Sequence, residues 1–267
     1  MTSRPDYYSI KMLSNSALKN FSEYSPRKAM YLYENGIKET DALLFGRMIH
    51  KQVFEADDFA TEFEYLPDGF NLRTKANKEL YEQIIGSGKT PVKPAQKELL
   101  NALCNRILES SNAKTLLKGQ AEKEFFGEYR GEKIKCKVDL INEEKGYILD
   151  LKTTQNAEPE AFLIECNKRQ YFQQAWLYRE LANQNGKNIN KFFFLNIEKE
   201  APYCLSIVEV SKLQFDIGFE QFNHNLAMYK RAIEDPTRDF DKFPDGQKHF
   251  QYHLPEWVQK KYNLEGE

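Results

Sequence analysis

Two short segments carry the side chains whose types and spacing could do chemistry. The first, residues 134–141, alternates polar and apolar side chains with a period of two and contains Asp139. This pattern predicts a β-strand with one buried face. The second segment, residues 147–152, is rich in Ile and Leu, which favour strands. Its Asp150 and Lys152 are two residues apart, so both side chains must project from the same face of the strand.

The alternation also assigns the first strand's side chains to two faces. One face carries Lys135, Lys137 and Asp139, and the other face is apolar, with Ile134, Cys136, Val138 and Leu140. A polar, glycine-ended turn at residues 142–146 joins the two segments, which predicts an antiparallel hairpin. Such a hairpin would bring Asp139 close to Asp150 and Lys152.

Two carboxylates and one ammonium group that converge on a sheet are unfavourable unless a cation lies between the acids. Carboxylate oxygens suit Mg²⁺, which binds through one or two carboxylates, several waters and substrate phosphate. A lysine beside such a site can orient or deprotonate an attacking water and stabilise charge on a phosphate. The alternative is that Asp150 and Lys152 form an ordinary exposed ion pair, and the Asp-x-Lys motif alone does not separate the two.

The surrounding motifs favour the first interpretation. An Asp about ten residues before a hydrophobic-Asp-x-Lys strand resembles the signature of the PD-(D/E)xK nucleases, with Val138 in place of the usual proline. Gly46 and His50 resemble the Gly-x-x-x-His helix of the branch that acts in recombination and DNA-end processing, and Gln174 and Tyr178 resemble its Gln-x-x-x-Tyr element. The last two residues are four apart and would share one helix face.

Further segments, at residues 13–26 and 67–75, resemble one subgroup, the RecE-type, exodeoxyribonuclease VIII-like phage exonucleases. The resemblance runs from about residue 13 to about residue 210. It implies an α/β fold: a restriction-endonuclease-like core, with a mixed central β-sheet flanked by helices, and an N-terminal helical elaboration. It also implies Mg²⁺-dependent (Mn²⁺ could substitute) 5′-to-3′ digestion of linear double-stranded DNA, which leaves 3′ overhangs for a phage single-strand annealing protein. The family members are ring-shaped homo-oligomers, so a trimer or tetramer is expected.

The resemblance assigns roles to individual residues. The expected metal ligands are Asp139, Asp150, the carbonyl of Leu151 and His50, with Lys152 beside the attacking water. A family glutamate in the preceding strand corresponds to Glu122 or Glu124, of which Glu122 is the closer match; the sequence does not settle which one faces the metal. Candidate substrate contacts are Gln174, Tyr178, Arg73 and Lys75. Gly46 would let its helix approach a neighbour closely.

The composition excludes some function classes. With 38 basic and 40 acidic residues the net charge is -2, which is not typical of a protein that binds DNA through overall charge. The four cysteines are widely spaced, so we expect them to be reduced and predict no iron-sulfur cluster. No apolar run approaches membrane-spanning length, and the first residues lack the apolar core of a signal peptide, so a cytoplasmic protein without membrane contact is expected.

The chain is expected to form a single nuclease domain over residues 1–267. Residues 1–118 would be mostly helical, residues 119–235 would form the catalytic core, and residues 236–267 would be a C-terminal extension. Helices are predicted at about 14–24, 26–36, 40–56, 74–85, 94–110, 113–117, 158–166, 169–183 and 211–234. Strands are predicted at 120–130, in the hairpin, and at 191–198 and 203–210.

Several alternatives remain open at this level. The chain could be a structure- or sequence-specific endonuclease of the same fold, or a catalytically inactive module that binds DNA ends. The glycine-rich residues 86–90 lack the full spacing of a phosphate-binding loop and are interpreted as a linker. His249 and His253, four residues apart, could bind a metal on a helix, but we interpret them as loop aromatics that pack on the surface.

Overall fold

The computed structural model describes residues 7–239, which form ten α-helices and seven β-strands. The helices are α1 Asn15–Glu23, α2 Pro26–Asn35, α3 Asp41–Phe54, α4 Phe59–Glu62, α5 Lys75–Gly86, α6 Pro94–Glu109, α7 Ser111–Leu116, α8 Pro159–Lys168, α9 Tyr171–Gln184 and α10 Lys212–Glu234. The strands are β1 Phe63–Tyr65, β2 Thr90–Val92, β3 Gln120–Tyr129, β4 Glu132–Asn142, β5 Tyr147–Thr154, β6 Lys191–Glu198 and β7 Leu205–Glu209.

A five-stranded mixed sheet in the order β3-β4-β5-β6-β7 forms the centre of the fold. Strands β5 and β6 pair parallel, across the connection that contains α8 and α9, and the other neighbours pair antiparallel. The predicted hairpin is therefore present as β4 and β5, and the mixed sheet flanked by helices confirms the predicted fold class. The predicted helices and core strands agree with the structure to within a few residues at their ends.

Each face of the sheet is covered by its own hydrophobic cluster. One cluster packs α1, α9 and α10 against the sheet, with Phe215, Phe222 and Leu226 of α10 buried. This spacing is the stripe that an amphipathic helix presents to a core. The other cluster packs α3 and α6 on the opposite face, where Met48 and Ile49 of α3 are fully buried. The second cluster fixes α3, and with it His50, above the β4–β5 hairpin.

The alternation of β4 changes phase in its middle. Val138 packs in the cluster with α9, as Ile134 and Cys136 do, whereas Leu140 packs in the cluster with α3. The predicted placement of Leu140 on the same face as those residues is therefore wrong. The change coincides with the end of strand pairing, because β4 pairs with β5 only from Leu140 to Asn142. Beyond that point the two strands separate, and Asp139 lies where they part.

A second, two-stranded parallel sheet pairs β1 with β2. The sequence predicted an irregular connection after residue 63 and a linker at residues 86–90. Both strands have only three residues, which is too short for alternation to give a signal. The C-terminal extension from residue 240 onwards, including His249 and His253, lies outside the described residues. Among the helices of residues 7–239, none is long and apolar enough to cross a membrane.

Candidate active site

A cleft of about 890 Å³ opens where β4 and β5 separate beneath α3. The helix contributes Gly46, Arg47, His50 and Lys51 to its wall, at the spacing of one helix face. Helix α3 begins at an N-cap, Thr40, whose side chain accepts a hydrogen bond from the Leu43 amide. The strands contribute Glu122, Lys137, Asp139, Leu151 and Lys152.

His50 and Asp139 meet on the floor of the cleft. The Nδ1 atom of His50 lies 3.3 Å from Oδ2 of Asp139, and its Nε2 atom lies 2.9 Å from the carbonyl oxygen of Leu151. The same Asp139 oxygen accepts a 2.8 Å hydrogen bond from the Leu151 amide. Both ring nitrogens of His50 thus face oxygen acceptors, and both can donate only when the imidazole is protonated.

Glu122 joins this pair from β3. Single ligand atoms of His50, Glu122 and Asp139 all lie within 4.8 Å of one another. Glu122 has a φ of 51°, which interrupts the pairing of β3 with β4 between its neighbouring registered pairs, and such a conformation costs about 1–2 kcal/mol for a non-glycine residue. Its carboxylate is held by Lys137 at 2.6 Å. The structure therefore brings Glu122 into the group, whereas Glu124 does not line the cleft.

Asp150 lies beneath the cleft and does not line it. Its side chain is 1% exposed, and it contacts the ammonium of Lys152 through both oxygens, at 3.0 Å for Oδ2. Gln174 of α9 donates to the same Oδ2 at 3.1 Å. Lys152 does line the cleft, and its ammonium lies 4.7 Å from the centre of the Tyr171 ring. Asp150 and Lys152 share one strand face as predicted, but that face turns the carboxylate of Asp150 towards α9, away from His50.

The pKa shifts follow from burial and from these pairings. Burial would raise the pKa of Asp139, but the charge and hydrogen bond of His50 hold it below its usual value. Burial would lower the pKa of His50, and Asp139 more than offsets this, so the shift is upward. Burial raises the pKa of Asp150 to about 7 despite Lys152. Burial opposes the charged form of Lys152, yet Asp150 raises its pKa above the usual range. Lys152 is therefore held as an ammonium group.

The donor set fits a hard divalent cation. Asp139 and Glu122 offer carboxylate oxygens, Leu151 offers a carbonyl oxygen, and His50 offers an imidazole nitrogen once the proton is displaced. In the structure, the imidazole of His50 lies between the carboxylate of Asp139 and the carbonyl oxygen of Leu151, and a metal ion could bind both of these oxygens. Among residues 7–239, these three His, Asp and Glu side chains form the one such group of potential ligands. Asp150, a predicted ligand, is not a member.

The remaining predicted site residues do not line the cleft. Tyr178 packs against the hydrophobic cluster, with its ring 6.5 Å from that of Phe192, and burial raises its pKa well above the usual value. Arg73 and Lys75 are exposed, and Lys75 is 3.7 Å from Glu79. None of Tyr178, Arg73 and Lys75 lines the cleft, and neither does Gln174.

Other cleft residues were not singled out from the sequence. Arg47 lies three residues before His50 and four residues before Lys51, so the helical period could have placed Arg47 beside both of them. Tyr8 and Tyr171 line the cleft as well, and no spacing rule connects either of them to the motifs. The predicted close helix approach at Gly46 is wrong, since a Cβ atom added there would meet nothing within 4 Å outside its own helix turn.

The class of protein follows from this arrangement. A mixed sheet whose strands β4 and β5 carry acidic residues and separate beneath the helix that carries His50 is typical of a PDDEXK-like domain. Residues 14–238 match the family described as "PDDEXK-like domain of unknown function (DUF3799)", and the chain belongs to this family. Its membership of the RecE-type subgroup stays a prediction.

Among solved structures, the chain is similar to a candidate exonuclease from Eubacterium rectale, with a TM-score of 0.68 and 16% identity over 98% of each chain. At 16% identity, this similarity shows that the two chains share a fold. A second structure, SSO0001, superposes with a TM-score of only 0.33 at 16% identity, over 71% of this chain and 88% of that one. No curated protein matches the chain.

Proposed function

We propose that the protein is a Mg²⁺-dependent deoxyribonuclease that hydrolyses phosphodiester bonds in DNA. One observation carries the proposal: ligand atoms of His50, Glu122 and Asp139 lie within 4.8 Å of one another, in a cleft that the ammonium of Lys152 also lines. Acidic and imidazole ligands can hold a catalytic divalent metal, and a fixed cation beside them can stabilise the charge that develops on a phosphate during hydrolysis.

The chain's own residues have distinct tasks in this proposal. Asp139, Glu122, His50 and the Leu151 carbonyl would hold Mg²⁺, which when bound supplies Lewis-acid charge to a phosphate oxygen. The ammonium of Lys152 would orient the attacking water and stabilise negative charge on the phosphate, because its raised pKa keeps it protonated. Asp150 would position Lys152 by accepting from it, and Gln174 would position Asp150.

The finer parts of the proposal rest on the sequence resemblance. It supports a 5′-to-3′ exonuclease on linear double-stranded DNA that leaves 3′ overhangs for a single-strand annealing protein, and a homo-oligomeric ring. The structure of similar fold from Eubacterium rectale is that of a candidate exonuclease, which is a reason to assay exonuclease activity first. Mn²⁺ should substitute for Mg²⁺, because it accepts the same oxygen and nitrogen ligands.

The decisive experiment compares the wild type with Asp139→Asn and Lys152→Ala on linear duplex DNA with or without a 5′ phosphate. We expect Mg²⁺ or Mn²⁺ to support digestion by the wild type and EDTA to abolish it. Both variants should lose more than about 100-fold in rate, the scale of a lost electrostatic contact in the transition state. Asp139→Asn is nearly isosteric and can still accept from the Leu151 amide, so its fold should survive. Lys133→Ala is the control, since this exposed lysine lies on β4 outside the cleft.

Two further measurements separate the alternatives. Cleavage of supercoiled circles as fast as linear DNA would show an endonuclease. Mg²⁺ binding by calorimetry without cleavage of any DNA would show an inactive binding module. Equal activity of wild type and Asp139→Asn would contradict the proposed site.

A further inference from the structure

Tyr8 is an aromatic side chain displayed at the rim of the cleft. It lines the cleft while 74% of its surface is exposed, so the ring is accessible to a molecule that enters the cleft. The ammonium of Lys137 lies 5.9 Å from the centre of its ring. Lys137 in turn holds Glu122, a member of the potential metal-ligand group. One side chain, that of Lys137, thus separates Tyr8 from this group.

A buried lysine fixes the backbone that carries Tyr8. Lys135 on β4 is only 6% exposed, and its ammonium donates to the carbonyl of Tyr7 at 2.6 Å and to that of Ile10 at 2.7 Å. It also lies 4.3 Å from the centre of the Tyr7 ring. Burial of an ammonium group is unfavourable unless such contacts replace water. These hydrogen bonds clamp the chain on both sides of Tyr8.

The same segment is joined to β4 a few residues later. The Leu13 amide donates to the Lys133 carbonyl at 3.1 Å, and the Lys135 amide donates to the Leu13 carbonyl at 2.8 Å. These bonds occupy the part of β4 that does not pair with β5. The Tyr7 ring meets the Tyr8 ring edge to face at 5.3 Å. Tyr8 is therefore presented to the cleft in a defined position.

We propose that Tyr8 forms a stacking platform for a nucleobase of the DNA strand that enters the cleft. The inference rests on the proposed function and adds the substrate class to it: a DNA end whose outermost bases are unpaired, so that one base can leave the duplex and stack. A tyrosine face accepts any base, and alanine substitution of such platforms weakens binding by about 5- to 140-fold.

The test uses linear duplexes with a single abasic nucleotide at the first, second or third position from the 5′ end. Binding is measured with Ca²⁺ in place of Mg²⁺, and cleavage is measured with Mg²⁺. We expect one abasic position to weaken wild-type binding about tenfold, and Tyr8→Ala to weaken binding of intact DNA equally. In Tyr8→Ala the abasic substitution should have no further effect, whereas Tyr8→Phe should behave as the wild type. Tyr31→Ala is the control, since Tyr31 is 63% exposed on α2 and lies outside the cleft.

The outcomes separate the two claims. If the wild type cleaves DNA and the abasic substrates weaken binding as much in Tyr8→Ala as in the wild type, the role of Tyr8 is overturned and the nuclease stands. If the wild type binds but never cleaves, the nuclease proposal fails, and the Ca²⁺ binding data still decide the role of Tyr8. If the wild type binds no DNA, both are overturned.

Discussion

At the scale of single residues, the ion pair of Asp150 and Lys152 contributes to the stability of the fold and also positions Lys152 in the cleft. Removal of one partner from a buried ion pair leaves an uncompensated charge and costs about 3–5 kcal/mol. We therefore expect Lys152→Met to lower the free energy of unfolding by about that amount, as measured in urea at pH 8. Adding Asp150→Asn should restore most of the loss, because no buried charge remains.

The double variant is the control for this cycle, since it removes the same lysine without stranding a carboxylate. It should remain inactive while it is folded, which separates the catalytic role of Lys152 from its structural role. If the double variant lost as much free energy of unfolding as Lys152→Met and Asp150→Asn lose in sum, the pairing of the two residues would be contradicted.

At the scale of elements, Gly46 lies inside α3 without a packing reason. A glycine within a helix costs about 1 kcal/mol relative to alanine, and a Cβ atom here would meet nothing within 4 Å. Gly46 lines the cleft one turn before His50, so we expect it to leave room for substrate. Gly46→Ala should raise the free energy of unfolding by about 0.5–1 kcal/mol, and lower kcat/KM on DNA several-fold. A more stable variant with unchanged kinetics would show that substrate does not pass over this part of α3.

Gly218 of α10 provides the matched comparison, because its substitution by alanine is expected to lower the free energy of unfolding. A Cβ atom there would lie 2.1 Å from the carbonyl oxygen of Phe172 and 3.0 Å from Cβ of Trp176. Because these are atoms of α9, Gly218→Ala must push the two helices apart, at a cost of about 1–3 kcal/mol. Activity should also fall, since α9 carries Gln174. Urea unfolding of Gly46→Ala and Gly218→Ala measures both effects. A gain in stability in Gly218→Ala would contradict the close contact between α9 and α10.

Elements were predicted from the sequence more reliably than the geometry between them. The hairpin and its turn followed from alternation and glycine, and the spacing in α3 placed His50 on a defined helix face. The phase change in β4 at Asp139 could not be predicted from the sequence. It depends on the separation of β5 from β4 after Leu149, which is set by tertiary packing and not by the local sequence pattern. Strict alternation therefore put Leu140 on the wrong face. It also left open that Asp150 would turn to Gln174 of α9.

At the scale of the whole molecule, the charge balance constrains how DNA is bound. The cleft contains six Lys and Arg side chains, of which Arg47, Lys51, Lys137, Lys152 and Arg169 already pair with carboxylates. A net charge of -2 adds no general attraction to phosphate. Few counterions should then be released on binding, and the divalent metal should provide much of the positive charge.

We therefore expect a weak salt dependence of DNA binding. With about two to four phosphates neutralised, the slope of log Kobs against log salt concentration should be about -2 to -4, far from the value near -10 of strongly basic contacts. Fluorescence anisotropy between about 50 and 300 mM KCl, with Ca²⁺ and then with EDTA, measures this slope, and binding should weaken sharply without the metal. A steep slope would place the main phosphate contacts outside the cleft. The exposed Arg73 and Lys75 would then be the first candidates, and each alanine substitution should reduce the magnitude of the slope by about 1.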